Sequence, residues 1–519
     1  MRQFHKIRVR RPRSSVFNLS HEKKLTLNMG DLVPVYHEEV IPGDKFRINL
    51  EAFAKFQPLT HPIMHRINVY THFFFVPNRL LWDEWEDFIT GGKDGTLSPS
   101  WPAISGMVNQ QDHSHLLGIG SLADYLGIPV QNIDLENGQN LTSISRLPFS
   151  GYQMIFNEYY RDQTLQDEVE INKTSGTLSW ASELHREHLA TLRKRCWEKD
   201  YFTSALPFAQ RGEQVKLPLI GDIEVQGSPM VRKEAGNDPW QDGEVATDPG
   251  GRLSGGPPEY EQLRLEELYG SLDASQTTIT ELRRAYALQR WLEKNARAGG
   301  RYAEQILAHF GVKLPDFRLQ KPEYIGGGKM PVKIQEVVQH SATAEEGTPQ
   351  GTNTGNAFAS GRTRQVNRSF NEHGQIFGIM SVMPRTAYFQ GLERKFTRSD
   401  RFDYFFPEFA RIGEQEIKKQ ELFLDSSQAV NTQTFGYQER YAEYRTKNDS
   451  IHGDFRKTLK AWHMARHFED SPELNESFVQ SDPTDRIFAV EDEEWKKLLV
   501  HTYANVRARR PIPKFGDPV

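Results

Sequence analysis

The sequence predicts a mainly β protein, a sandwich whose strands are interrupted by long helical and loop insertions. Three observations lead there. Strand-like segments cluster near the N-terminus and again beyond residue 330, whereas helical periodicity occupies the middle of the chain. That order differs from the βαβα alternation of a doubly wound sheet. One stretch, residues 63–76, also alternates over a length that suits a half-buried strand: Ile63, His65, Ile67, Val69, Thr71, Phe73 and Phe75 share a face.

The elements follow in order. Residues 1–24 read as a basic extended arm, with turn signals at Pro12, Asn18 and Ser20. Strands are expected at 33–40, 45–53 and 63–76, separated by the turn chemistry of Ile41-Pro42-Gly43-Asp44 and Phe56-Gln57-Pro58. Helices are expected at 78–89, 147–162, 182–198, 278–298 and 301–310, the last stopped by Gly311. Strand patterns return at 332–338, 373–383, 387–392 and 433–441, and no internal repeat is visible. Residues 25–519 therefore read as one domain with insertions.

Composition bounds the function. The chain has 519 residues, 37% of them hydrophobic, enough for a sizeable core. Its 64 Lys+Arg against 69 Asp+Glu give a net charge of −5, so it does not coat nucleic acid by bulk charge. Cys196 is the only cysteine, which excludes an intrachain disulfide and a Cys-rich metal site. Residues 1–13 carry no apolar signal-peptide core, and no apolar run approaches a membrane span. The expectation is a soluble chain made in the cytoplasm, with no membrane insertion.

Residues 227–277 differ from the rest. They hold eight Gly, five Pro, ten acids and four bases, a local net charge of −6. A strand-like run at 215–225 precedes them, and residues 260–269 read as a short helix returning from the excursion. The segment is either a disordered linker or an ordered surface projection that needs a partner or symmetry mate to bury Trp240 and Tyr260.

Catalytic motifs are weak. His463 and His467, like His61 and His65, have i, i+4 spacing, yet neither pair has the following Glu of a zinc protease, and Pro62 opposes a helix. Gly326-Gly327-Gly328-Lys329 is followed by Met330 instead of Ser or Thr, so it reads as a flexible turn. Cys196 follows Arg193-Lys194-Arg195, but nothing ties it to a histidine, and a buried or incidental thiol is the better reading. No catalytic residue, cofactor or metal site is expected.

The basic ends are the stronger lead. Arg2, Lys6, Arg8, Arg10, Arg11 and Arg13 lie at one end, and Arg507, Arg509, Arg510 and Lys514 at the other. Such arms could neutralise phosphates, with Phe4 and Phe17 stacking on unpaired bases. They could equally tie neighbouring subunits together or float free.

Long aromatic strings then carry a resemblance over almost the whole chain. They are Pro12-Arg13-Ser14 with Phe17 to His21; Pro42-Gly43-Asp44 with Phe46; Phe73 to Pro77 running into Arg79 to Glu86; and Gly151 to Gln163. Asp200 to Pro207, Gln320 to Gly327 and Phe435 to Tyr441 belong with them. These stretches resemble the major capsid protein of microviruses, specifically the gokushovirus branch of small single-stranded DNA bacteriophages.

The resemblance implies an eight-stranded antiparallel jelly roll with large insertions. It implies sixty copies joined by twofold, threefold and fivefold contacts into a T=1 icosahedral shell around circular single-stranded DNA. By the same resemblance the partners include an internal scaffolding protein, a small basic DNA-packaging protein and a pilot protein. The insertion at 227–277 corresponds to a threefold protrusion that meets an unknown host surface receptor, with Trp240, Gln241, Asp242, Pro257 and Tyr260 as host-facing candidates. The finished protein would reside in the virion. The alternative is a jelly-roll carbohydrate-binding module or carbohydrate-active enzyme, which should gather acids or histidines around one pocket.

Overall fold

A computed structural model of the chain describes residues 13–213, 215, 223–226, 230–232, 241–242, 246–247, 253–254, 262–264, 269–272, 279–299, 301–340, 350–490, 492 and 495–515. The sandwich strands are β1 (Ser15–Asn18), β2 (His21–Leu27), β3 (Val33–Val40), β4 (Lys45–Phe56), β5 (Ile67–Pro77) and β6 (Glu323–Pro331). They continue with β7 (Lys333–Val338), β8 (Asn353–Arg362), β9 (Val366–Ser369), β10 (Gly374–Pro384) and β11 (Leu498–Arg510). A large seven-stranded sheet runs β1–β11–β4–β8–β7, with β2 also on β11 and β9 also on β4. A four-stranded sheet runs β6–β5–β10–β3. All these pairings are antiparallel.

Alternation builds the space between the sheets. On β4, Phe46, Ile48, Leu50, Ala52, Ala54 and Phe56 are buried, while Lys45, Arg47, Glu51, Phe53 and Lys55 are exposed. Leu498, Val500, Thr502, Ala504, Val506 and Ala508 of β11 point the same way as the buried set. They pack with Phe73, Phe75, Ile376, Met380 and Val382 of the small sheet into one core.

The small sheet is buried on its other face too. Every residue of β10 is buried. Helix Leu147–Ile155 and the π-helical turn Phe156–Tyr160 bring Phe149, Tyr152, Ile155 and Phe156 against Phe74, Val76, Phe377 and Ile379. Gly151 lets the helix sit this close, because a Cβ there would lie 2.8 Å from two atoms of the Phe377 ring. Among the described residues the large sheet has no such cover on its outer face, where alternate residues stay exposed along β4 and β11.

Several expectations are corrected. The described part of the 1–24 arm is mostly sheet, since β1 and β2 pair with β11 from Ser15↔Arg510 to Leu27↔Leu498. The basic C-terminal end likewise begins as a long strand between β1 and β4. The expected helix at 182–198 is helical only at Glu183–Ala190. Beyond it the backbone pairs instead with residues 30 and 32, Arg195 N–H donating to the Gly30 carbonyl at 2.8 Å and Leu32 N–H to that of Arg193 at 2.9 Å. The helix at 78–89 breaks into Asn78–Leu81 and Trp85–Thr90 around Trp82, whose Nε1–H donates to Ser175 Oγ at 2.8 Å. The triple glycine at 326–328 lies within β6, next to a bulge between Tyr324 and Gly326, and is no free turn.

Residues 210–297 form a compact unit of their own. In it Ile223–Gln226 pairs with Tyr269–Leu272, Met230–Arg232 with both Gln241–Asp242 and Gln262–Arg264, and Ala246–Thr247 with Leu253–Ser254. The helix expected at 260–269 is therefore strand where described, while helix Ile279–Ala298 forms as expected. Among the described residues no helix is long and apolar enough to cross a membrane.

Candidate functional site

The uncovered face of the large sheet gathers several candidates that are distant in sequence. Two-residue periodicity sends Arg507 and Arg509 of β11 to that face, and both are exposed. The register sets Arg507 opposite Arg47 and Arg509 opposite Lys45. Four cations thus stand in a two-by-two block, in two directly opposed like-charge pairs. Such pairs destabilise a sheet unless an anion lies over them. None of the four has an ion-pair partner among the described residues.

Further along the same face the charges are balanced. Glu22 lies 3.2 Å from His501 Nε2 and 3.4 Å from Lys24 Nζ, and these neighbours hold its carboxyl below the usual range. Arg362 lies 3.9 Å from Glu51. Beyond them Lys55 and Lys333 flank Phe358 across three strands, again without an ion pair among the described residues. Eight bases of the sheet (the four-cation block, Lys24, Lys55, Lys333 and Arg362) stand there with two acids of the sheet, Glu22 and Glu51, and Asp124 lines a hollow on the same face, although the chain as a whole carries −5.

Aromatic rings stand among these bases. Phe53 is 44% exposed and Tyr503 37%. The Phe53 and Phe358 rings are 6.1 Å apart and tilted by 34°. Phe53 and His501 sit where two open hollows meet. One, of about 630 Å³, is bounded by Lys24, Lys55, Ile119, Tyr125 and Leu499; the other, of about 460 Å³, by Glu51, Ser360, Arg362 and Tyr503. Lys23 on the buried side of β2 closes the first hollow. It donates to the Pro34 carbonyl at 3.0 Å and to that of Tyr125, and burial pulls its ammonium down to about 8.

The other sequence candidates lie elsewhere. Arg510 turns inward at the sheet edge, donating to Glu38 at 3.1 Å and the Glu39 carbonyl at 2.8 Å, with its guanidinium 5.2 Å over the Phe46 ring. Arg13 and Lys514 are exposed outside the strands, Lys514 above the ring of Phe515. Arg2, Lys6, Arg8, Arg10 and Arg11 lie outside the described residues, as do Trp240, Pro257 and Tyr260. Gln241 and Asp242 form a short strand on Met230–Arg232. Lys45, Arg47, Phe53, Lys55 and Tyr503 were not singled out in the sequence; the signal was the polar half of the alternation on β4 and β11.

Two of these histidines are held by backbone partners. His463 donates from Nε2 to the Phe455 carbonyl at 2.8 Å and accepts at Nδ1 from Ala465 N–H at 3.1 Å, in a non-helical segment. His65 donates to the Arg385 carbonyl at 2.7 Å. The Cys196 thiol is half-buried, donates to Gln166 Oε1 at 2.9 Å, and is pushed up to about 11 by burial, despite its basic neighbours. A cavity of about 350 Å³ holds Glu421 and Glu443, but arginines already neutralise both: Arg394 lies 3.3 Å from Glu421 and Arg398 3.6 Å from Glu443.

Comparison with known proteins places these observations in one family. Residues 5–519 match the family of the capsid protein (F protein). The chain is 34% identical to capsid protein VP1 of Chlamydia phage 1, over 98% of this chain and 95% of the relative. It is 32% identical to capsid protein VP1 of Bdellovibrio phage phiMH2K, over 97% and 95%. Capsid protein VP1 of Spiroplasma virus 4 is 28% identical over 98% and 95%. The gokushovirus-type resemblance holds, and a structural role in the virion replaces the enzyme alternative. The chain belongs to the capsid protein (F protein) family.

Proposed function

We propose that sixty copies of this chain close a T=1 icosahedral shell around a circular single-stranded DNA genome. The match to capsid proteins from end to end carries the reading. The strand order supports a jelly roll as its framework. The N-terminal strands β1 and β2 lie beside the C-terminal strand β11, β11 beside β4 and β4 beside β8, while β3, β10, β5 and β6 form the facing sheet. Two ribbons of this framework are interrupted: β1 with β2, which share β11, and β8 with β9, which share β4.

Subunit contacts need large exposed side chains on extended segments. Phe396, Phe402, Tyr404, Phe405, Phe406 and Ile412 supply them, each at least 40% exposed on one run of turns and 3₁₀ segments. In this reading the internal scaffolding, DNA-packaging and pilot proteins act with the shell, and the basic N-terminal residues face the genome. The insertion at 227–277, with its acid excess and its place in a separate compact unit, serves host attachment.

Sedimentation with absorbance at two wavelengths tests the shell. A discrete megadalton particle carrying DNA is expected when the chain is expressed with its phage partners. A lone 60 kDa species under those conditions would refute the shell. Deleting residues 240–258 should leave particle yield intact and lower infection; loss of particles would refute a role confined to attachment.

A further inference from the structure

We infer that the uncovered face of the large sheet is a binding surface for single-stranded nucleic acid, with backbone phosphates on the cation rows and bases stacked at Phe53 and Tyr503. The inference deepens the proposed enclosure of a DNA genome and rests on it for the identity of the polyanion. Its evidence is separate: the charge and ring pattern of one sheet face.

Charge complementarity selects the occupant. The Arg47/Arg507 and Lys45/Arg509 pairs are opposed like charges without counter-ions among the described residues, so an anion laid across them gains from both strands at once. Consecutive rows on the same face are roughly 7 Å apart along the strands, since residues two apart rise about 3.4 Å each. A continuous chain of phosphates matches such rows better than a single small anion. The charged ends of the face, the four-cation block and the Lys55/Lys333 pair, flank a middle zone with little net charge.

That middle zone carries the rings. Phe53 and Tyr503 project from neighbouring strands and are substantially exposed, and Phe53 sits between the two hollows. Open apolar rings between phosphate-binding rows are what unpaired bases use for stacking, and base pairs in a duplex keep those faces covered. A purely electrostatic duplex site would have no use for them. An acidic polypeptide would satisfy the cations and leave the rings unmatched. The observations therefore favour a single strand.

The test is fluorescence anisotropy of the purified full-length chain with labelled oligo(dT), a duplex of equal length, and poly-glutamate, across a salt series. Oligo(dT) should bind most tightly. The triple variant Arg47→Gln, Arg507→Gln, Arg509→Gln should lower the slope of log affinity against log salt by about 2, since each phosphate contact on a single strand contributes about 0.7. Phe53→Leu and Tyr503→Leu should each weaken oligo(dT) about 5- to 150-fold with the salt slope unchanged, and Phe53→Trp should restore binding. Urea midpoints no lower than that of the unsubstituted chain show that these exposed-face variants remain folded.

Equal affinity for duplex and single strand, with no effect of Phe53→Leu, would overturn the inference. So would tighter binding of poly-glutamate, which would make the face a docking site for an acidic protein. Particles that fail to assemble from variants retaining full oligo(dT) affinity would assign the face to a subunit contact and also overturn it. Failure of the unsubstituted chain to form particles, with the binding pattern intact, would refute the shell alone and leave this surface standing.

Discussion

Gly151→Ala sets helix propensity against packing, and the structure says which wins. In an exposed helix the change would stabilise by about 1 kcal/mol. Here the new methyl would lie 2.8 Å from two ring atoms of Phe377, closer than carbon atoms can sit. Phe377 is fully buried and cannot swing aside, because its cross-strand neighbours are Phe74 on β5 and His37 on β3, the latter with ring centroids 4.8 Å away. Overpacking a tight core typically costs about 1–3 kcal/mol. The net expectation is a loss of roughly 1 kcal/mol, read as a lower urea midpoint at constant slope. Adding Phe377→Leu removes the obstructing ring, so the double variant should be more stable than the two single effects predict by about 1 kcal/mol or more. A Gly151→Ala chain that gains stability would refute the close approach of helix and small sheet.

Two further outcomes concern charge. Burial raises the Asp31 carboxyl to about 6, against about 3.9 in an unfolded chain, so the folded state holds its proton to higher pH and stability falls as pH rises from about 4 to 6. Asp31→Asn should therefore stabilise the chain at pH 7.5 by about 2–3 kcal/mol, with the advantage shrinking as pH falls from about 6 to 4; a pH-independent difference in urea midpoints would refute this. Arg47→Glu converts the opposed pair with Arg507 into an attractive one and should raise subunit stability by up to about 1 kcal/mol at low salt, the gain fading at 1 M. A gain that survives high salt would show that repulsion is not its source.

What was legible in the sequence follows from where each signal resides. β4 was read almost in full because Phe46, Ile48, Leu50, Ala52, Ala54 and Phe56 alternate with polar residues along the whole strand. β11 has equally regular alternation, but its arginines are the exposed half of the pattern and drew the reading toward a free basic arm. β8 gave no such signal. Gly355 fits tightly against the backbone at His61 and Pro62 and Gly361 against Met330, so small residues required by packing read as a loop. The segment after Ala190 has helical spacing, yet distant backbone partners at Gly30 and Leu32 draw it out straight. The candidate surface was half legible: its residues could be seen strand by strand, but only long-range register sets Arg507 beside Arg47.

The difference between the two sheets bears on why the charged block persists. β10 is mostly apolar and buried on both faces, and the helical insertions between β5 and β6 cover the face turned away from the large sheet. β4 and β11 are built with one wet face, and water alone would be served by any polar side chains there. Mixed acids and bases, as at Glu22, His501, Glu51 and Arg362, would also stabilise the sheet. The register instead sets Arg against Arg and Lys against Arg in adjacent rows. For an isolated subunit that arrangement is unfavourable, and a single acid at residue 47 would relieve it. The block makes physical sense when the face meets a polyanion, because the repulsion lost on binding then adds to the attraction gained. Stability of the free subunit and retention of a nucleic acid should consequently move in opposite directions in Arg47→Glu, an opposition that a merely solvent-facing patch would not produce.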